Sequence, residues 1–600
     1  MCNRDYDPKA AAVYRESVLN PWLRASILLC FLVISTNALA QRVTVTLDLP
    51  KISKQQKEKV LESIGLYTQR NSPFLTDDYI ARLLQRGEQE IRTAMQVYGY
   101  YKITVDSKLK KNEDVWQATY KVDPGEPIKI RNVDVSVNGE GSGDEILKQW
   151  LANYPLHNGD TLNQLRYEQA KKSLQNILSE RGYFKSRLTS HEIQVSMKQY
   201  YCNIVFHVDT GPRHRFGDVT FVQDTFDTSY LKRFVPFSKG EYFTGDGLSQ
   251  LKKNLASSNE FQSVEIAPLV EAAENNIVPI RTTLIPRKPT RYTFGVGFGT
   301  DTGPRGRIGV ERRRITNTGH KANADAFVSK VRFKLTANYS IPLAKPPYDY
   351  LLFSGERVIE DTDDTYSQSN TVSASTVYAL KNWQRTLSLS YLSEIYTVSD
   401  EQRQSSLLIP GISFMYQPDD ERDYSGLFDY RWRFTISAKG ADKSIASDVS
   451  FVQSRLSLGN RFKLLPKFNL VTRVDVGWTW VENFDDLPVS QRFFAGGDQS
   501  IRGFNYNSIG PKDADGKVIG GDRLLVGSAE LQYQYAQDKD VAVFYDAGNA
   551  YTGSQFTVEN GVGVGMGWAL PIGVLRVYLA NAVSEPSNPW RLHVLVSADW

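Results

Sequence analysis

From residue 290 onward, apolar and polar residues alternate. Tyr292, Phe294, Val296 and Phe298 are separated by Thr293, Gly295, Gly297 and Gly299. Phe468, Leu470, Val474, Val476 and Trp478 share one parity, and Asn469, Arg473, Asp475 and Gly477 the other. Val562, Val564, Met566 and Trp568 alternate with Gly561, Gly563, Gly565 and Gly567. A period of two is that of a strand. Bulky apolar residues on one face and small or polar ones on the other predict transmembrane barrel strands, lipid outside and a polar lumen inside. A soluble sandwich shares the alternation, but would gather its apolar face into one core. At roughly 17 residues per strand and connection, the segment accommodates about 16 strands. Segmentation places eleven before a long connection near residues 483–522 and five after it. Counting alone also allows about 14 or 18 strands.

The first half follows a different rule. Gly99-Tyr100-Tyr101 is followed by Val122-Asp123-Pro124-Gly125, and Gly182-Tyr183-Phe184 by Val208-Asp209-Thr210-Gly211. A degenerate copy reads Asn259-Glu260-Phe261, then Ile280-Arg281-Thr282-Thr283-Leu284. The period is about 80 residues, the mark of a domain array. Each copy reads strand, helix, helix, strand, strand. In the second, Ile130–Val137 alternates as a strand and Asp144 leads a short helix. Thr161 is the expected N-cap of a longer helix, which Arg181-Gly182 ends. The expected architecture is three tandem βααββ α+β domains followed by a 16-stranded antiparallel transmembrane β-barrel. The boundaries read as 41–125, 126–211, 212–287 and 288–600.

Composition refines this picture. The longest apolar run, Ala25–Ile34, is too short to span a bilayer as a helix. It follows Arg24 and precedes Ala38-Leu39-Ala40, so residues 1–40 read as a secretory signal peptide. The start codon itself is left open. A formal net charge of +4 on 600 residues gives no footprint for nucleic acid. Beyond the signal only Cys202 remains, which excludes an intrachain disulfide and reads as a buried structural thiol.

Little of the chain suggests chemistry. It has neither a Gly-x-Ser-x-Gly elbow nor His-Glu-x-x-His, and its six histidines lack metal-ligand spacing. The expectation is no enzyme, no cofactor and no metal. The alternate glycines at 561–567 open no helix and so form no phosphate loop. They leave one face of a strand bare, so that something packs close to the wall. Arg312-Arg313-Arg314 reads equally well as a lipid contact or a solvated turn. Arg502 is the exception. Within Ile501-Arg502-Gly503-Phe504, Gly503 allows a tight turn and Phe504 anchors it. An arginine inside a lumen needs carboxylates. Glu530 and Asp546 lie at lumen parity on nearby strands, and either or both would lock the loop.

Arg492-Phe493-Phe494-Ala495-Gly496-Gly497 followed by Ile501-Arg502-Gly503-Phe504 resembles the BamA/TamA superfamily of outer-membrane assembly proteins. The βααββ repeats resemble their polypeptide-transport-associated (POTRA) domains. With three repeats and the barrel opening Phe298–Arg305, the resemblance is strongest to the TamA family. It implies an outer-membrane location in a Gram-negative bacterium, POTRA domains in the periplasm and contact with membrane lipids. It also implies unfolded outer-membrane clients such as autotransporters, and the partner TamB. A lateral seam is expected between the strand bearing Gly295, Gly297 and Gly299 and the last strand, which ends on Trp600. The chain departs from relatives where an arginine often stands at Gly567 and an aspartate at Tyr578. A two-partner secretion transporter and a passive pore are the rival readings.

Overall fold

The computed structural model describes residues 42–112, 115–299, 302–380, 382–416, 433–570, 573–587 and 589–597. The signal segment, Thr300-Asp301 of the barrel opening and Trp600 lie outside them. The chain divides into two compact units, which meet in sequence at His214 and Arg215.

The first unit holds two small domains. In the first, β1 (Arg42–Asp48), β2 (Thr104–Asn112) and β3 (Val115–Asp123) form a sheet of order β1-β3-β2, with β1 parallel and β2 antiparallel to β3. Helices α1 (Lys54–Glu62), α2 (Gly65–Thr68) and α3 (Asp77–Gln96) make the crossover. Helix α3 starts where the Thr76 hydroxyl accepts the Tyr79 N–H. Its buried Ile80, Leu83, Leu84, Gly87, Ile91 and Met95 recur at helical spacing. At Gly87 a Cβ would lie 2.2 Å from the Tyr120 hydroxyl, which instead donates to the Leu84 carbonyl at 3.1 Å.

The second domain repeats the plan with β4 (Lys129–Asn138), α4 (Glu145–Ala152), α5 (Gln164–Glu180), β5 (Arg187–Ser196) and β6 (Tyr201–Asp209), in the order β4-β6-β5. The N-cap of α5 is Asn163 rather than Thr161. Asn163 accepts the Arg166 N–H, while Thr161 bridges to Lys129. Asp144 caps α4 and takes a 2.6 Å bond from Arg181 Nε. Burial raises the Asp144 carboxyl, but the bonds from Arg181, the Ile146 amide and Tyr183 prevail and hold it below the usual range. Cys202 is buried and free, and burial pushes its thiol up to about 11.

The second unit opens with the third small domain: β7 (Arg215–Val222), α6 (Thr228–Lys232), α7 (Gly245–Ser257), β8 (Phe261–Pro268) and β9 (Ile277–Pro286), in the order β7-β9-β8. Gly99, Gly182 and Asn259 all stand at positive φ just past the long helix of their own copy.

The barrel follows within the same unit. Its strands are β10 (Thr290–Gly299), β11 (Gly303–Arg312), β12 (Lys321–Val328), β13 (Arg332–Pro342), β14 (Tyr350–Asp361), β15 (Tyr366–Leu380), β16 (Trp383–Val398) and β17 (Glu401–Tyr416). Then come β18 (Arg433–Ala441), β19 (Phe451–Leu465), β20 (Phe468–Val481), β21 (Arg523–Ala536), β22 (Lys539–Tyr551), β23 (Glu559–Leu570), β24 (Gly573–Ala582) and β25 (Trp590–Ser597). All 16 form one antiparallel sheet in chain order. Eleven strands precede the long connection and five follow it. Each strand pairs with the next, so backbone polar groups between neighbouring strands are satisfied without water, as a lipid environment requires. Tyr292, Phe294, Val296 and Phe298 point outward and are exposed, Val296 at 76%.

The third domain is fastened to the connection between β11 and β12. Lys321 Nζ lies 3.2 Å from Glu260 Oε1 and donates to the Ser258 carbonyl at 2.6 Å. Tyr230 donates to Glu260 at 2.9 Å and lies against Gly319, where a Cβ would come within 2.2 Å of its ring. Arg312 bonds Thr290, Arg313 bonds the Lys288 carbonyl and Arg314 lies over Phe226. The three arginines therefore tie the connection into the third domain and the first strand.

Candidate functional site: the inward loop and the barrel seam

The connection between β20 and β21 does not extend into solvent. It returns along the lumen wall, where Phe493, Ala495, Ile501, Phe504 and Ile509 pack against Leu524, Val526 and Ala550. Backbone bridges at Phe493–Gly521 and Ala495–Ile509 close it on itself. The turn at Arg502-Gly503 needs glycine twice over: Gly503 has φ 98°, and a Cβ there would lie 2.9 Å from the Ala582 nitrogen.

Arg502 is 5% exposed. Its Nε donates to Asp546 Oδ2 at 2.7 Å and its Nη2 to Asp546 Oδ1 at 2.8 Å, a forked contact. Its backbone N–H also reaches Asp546 Oδ2, at 3.0 Å. Nη1 donates to Glu530 Oε2 at 2.5 Å and Nη2 to the Ser528 hydroxyl at 3.2 Å. The guanidinium lies 3.5 Å from the Phe544 ring centroid and 4.7 Å from that of Tyr578. Thus the structure brings Arg502 to both Glu530 and Asp546. Strand parity explains why: Ser528, Glu530 and Gln532 share the lumen face of β21, and Asp546 stands opposite Ser528 on β22.

Sequence reasoning missed Arg576 and Tyr578. Arg576 Nη1 donates to Glu530 Oε1 at 3.1 Å, and its Nη2 lies 3.5 Å from Asp540. The Tyr578 hydroxyl reaches Glu530 Oε1 at 3.3 Å. The signal was present, because Arg576 and Tyr578 alternate with outward Val577 and Leu579 on one strand. Arg576 pairs in register with Gly567. The glycines of β23 form the bare face, and a Cβ would meet the Arg502 carbonyl at 2.0 Å from Gly561, the Phe544 ring at 2.6 Å from Gly563 and the Tyr578 ring at 2.4 Å from Gly565. The Arg502 turn and its aromatic walls occupy the space those glycines leave.

Further contacts hold other parts of the loop. Ser490 donates its N–H at 3.1 Å and its hydroxyl to Glu394, a fully buried carboxylate on β16. Lys439 Nζ donates to Gln491 at 2.6 Å, and Tyr506 and Asn507 both bond Glu360 of β14. Asp498 bonds Arg305 and His593.

At the seam, β10 and β25 lie side by side, but no ladder joins them among the described residues. Gly295, Gly297 and Gly299 share the inner face of β10, opposite Arg307, Arg305 and Gly303 of β11.

Comparison with known proteins places this geometry. A family model described as the Omp85 superfamily domain matches residues 290–592. Ahead of it, the POTRA domain TamA domain 1 matches residues 49–124, and a POTRA model described as a surface antigen variable number repeat matches 128–211. The outer membrane protein assembly factor BamA of Neorickettsia risticii is 22% identical over 520 residues, covering 81% of this chain and 68% of that protein. BamA of Nitratidesulfovibrio vulgaris is 23% identical over 520 residues, covering 82% and 64%. The chain thus spans about two-thirds of the length of these relatives. BamA from Haemophilus ducreyi lacking POTRA domains 1–3 shares the fold, with a TM-score of 0.65 at 18% identity, covering 78% of this chain and 99% of that one.

Proposed function

The chain belongs to the Omp85 superfamily, and from that membership we propose that it is an outer-membrane assembly factor that inserts β-barrel clients, autotransporters among them, and works with TamB. The barrel would sit in the outer membrane of a Gram-negative bacterium, with the POTRA domains in the periplasm. The TamA-type assignment is supported by the match of the first domain to a TamA-specific POTRA model and by three βααββ domains ahead of the barrel. TamB would dock on the first POTRA domain or on the periplasmic edge of the barrel, by strand addition to an exposed edge.

One observation carries the mechanism: the ladder runs unbroken from β10 to β25 and does not join them among the described residues. Unpaired backbone groups facing lipid cost several kcal/mol each. A client strand that pairs with them lowers that cost, so the seam templates strand addition without a nucleotide. The walls differ in height in the same sense. β10, β11 and β12 run 10, 10 and 8 residues, against 16 each for β16 and β17. A short wall thins the adjoining bilayer and eases insertion. Arg502, Glu530 and Asp546 would keep the inward loop fixed while the seam works.

The test joins β10 to β25 covalently. At Gly295 a Cβ meets only Arg307 Cβ, at 3.6 Å, so Gly295→Cys is accommodated. Paired with a cysteine on β25 and oxidised in liposomes, it is expected to abolish client insertion, and reduction is expected to restore it. Equal insertion in both states would refute the lateral seam.

A further inference from the structure

Asp498 of the inward loop is gripped from both sides of the seam. On one side Arg305 of β11 donates from Nη2 to Asp498 Oδ2 at 3.3 Å. Across the β10–β11 ladder Arg305 faces Gly297, which puts no side chain on that face. On the other side His593 of β25 bonds its Nδ1 to Asp498 Oδ1. His593 is fully buried, and the Asp498 side chain is 7% exposed.

The imidazole is committed at both nitrogens. Nε2 accepts the Gly503 N–H at 3.2 Å, which leaves the proton on Nδ1 to be donated to Asp498. Two residues earlier on β25, Arg591 donates to the Gly503 carbonyl. β25 therefore holds Gly503 by both its N–H and its C=O, and holds Asp498 as well. Arg502, next to Gly503, is fixed to β21 and β22. The loop is thus bound by several contacts to the strands at the end of the chain. Toward the first hairpin it makes the longer Arg305–Asp498 bond. Tyr506 and Asn507 reach the first half of the barrel farther in, at Glu360 of β14.

We infer that Asp498 is a clasp of the seam, a single carboxylate that holds the first hairpin to the last strand from inside the lumen. The inference rests on the lateral-seam reading and adds the positioning residues that govern it. Opening breaks Arg305–Asp498, and the loop stays with β21–β25, still locked by Arg502. The clasp stands in for a ladder, and a charge-assisted pair sheltered from bulk water is stronger than a surface pair.

The test is hydrogen–deuterium exchange on the full-length barrel in detergent, with heat-modifiable gel migration reporting that it is folded. Asp498→Ala is expected to raise amide exchange in β10, β11 and β25 by about tenfold, equivalent to about 1.4 kcal/mol of local opening, and to leave β15 and β16 unchanged. Arg305→Gln, the milder change, is expected to raise exchange in β10 and β11 and to spare β25, which His593 still holds. Unchanged exchange at the seam in folded Asp498→Ala protein would overturn the clasp. So would a uniform rise in every strand, which is the signature of general destabilisation. Client insertion into liposomes separates the two readings. If an oxidised seam blocks insertion while Asp498→Ala leaves seam exchange unmoved, the clasp fails and the lateral seam stands. If exchange rises at the seam but an oxidised seam inserts clients normally, the clasp stands and the lateral seam fails.

Discussion

Arg502 is the side chain we propose to organise the inward loop. Its guanidinium spends its donors on Asp546, Glu530 and Ser528 while two aromatic rings screen it from water. Removing one member of such a pair strands buried charge, at about 3–5 kcal/mol. Arg502→Ala is therefore expected to release the loop and lower the temperature at which heat-modifiable migration is lost. Arg502→Lys is expected to recover only part of this, because an ammonium cannot make the forked contact to Asp546. Unchanged migration and client insertion in Arg502→Ala protein would refute the lock. Glu530 and Asp546 could be found from sequence because parity alone places them in the lumen beside an arginine that requires them. Asp498 and His593 could not. Each acts on a residue distant in the chain, and the meeting depends on barrel closure, which no local pattern encodes. His593 reads as an isolated histidine until β25 returns to the loop.

At the scale of elements, strands were the more legible. A period of two survives any barrel shear, so the division into eleven and five strands follows from alternation and turn residues alone. Helix starts were less secure. Thr161 and Asn163 both have capping side chains, and the choice fell to Asn163 because Thr161 bridges to β4. The β11–β12 connection illustrates an element whose role no sequence pattern announces. Gly319 has φ 81°, and a Cβ there would strike the ring of Tyr230 in α6. Gly319→Ala thus meets both backbone strain and a clash, together about 1–3 kcal/mol. The substitution is expected to prise the connection from α6 and to speed tryptic cleavage at Arg312, Arg313 and Arg314 severalfold. Cleavage at the parent rate would show that α6 absorbs the methyl group and that this contact fastens nothing.

For the whole molecule, the repeat suggests three equivalent domains, but the compact units divide after His214, and the third domain belongs with the barrel. The reason lies in the degenerate copy. Where the first two copies carry Tyr100 and Tyr183, the third carries Glu260, a fully buried carboxylate whose cationic partner, Lys321, comes from the barrel. Burial raises the Glu260 carboxyl, and Lys321 and Tyr230 only partly offset it. An acid whose folded pKa is raised binds its proton more tightly in the folded state, so stability falls as pH rises from the unfolded pKa through the folded one. A fragment ending at residue 287 lacks Lys321, which widens that window upward. Residues 42–214 are therefore expected to unfold cooperatively with a midpoint insensitive to Glu260. In residues 42–287 the third domain should unfold first at pH 7, gain stability as the pH is lowered to 5, and gain it at pH 7 from Glu260→Gln. In the full-length protein Glu260→Gln should gain less, because it also removes the partner of Lys321. Equal midpoints for the third domain in the fragment at pH 5 and pH 7, read by exchange or by circular dichroism, would show that it does not depend on the barrel for its charge balance.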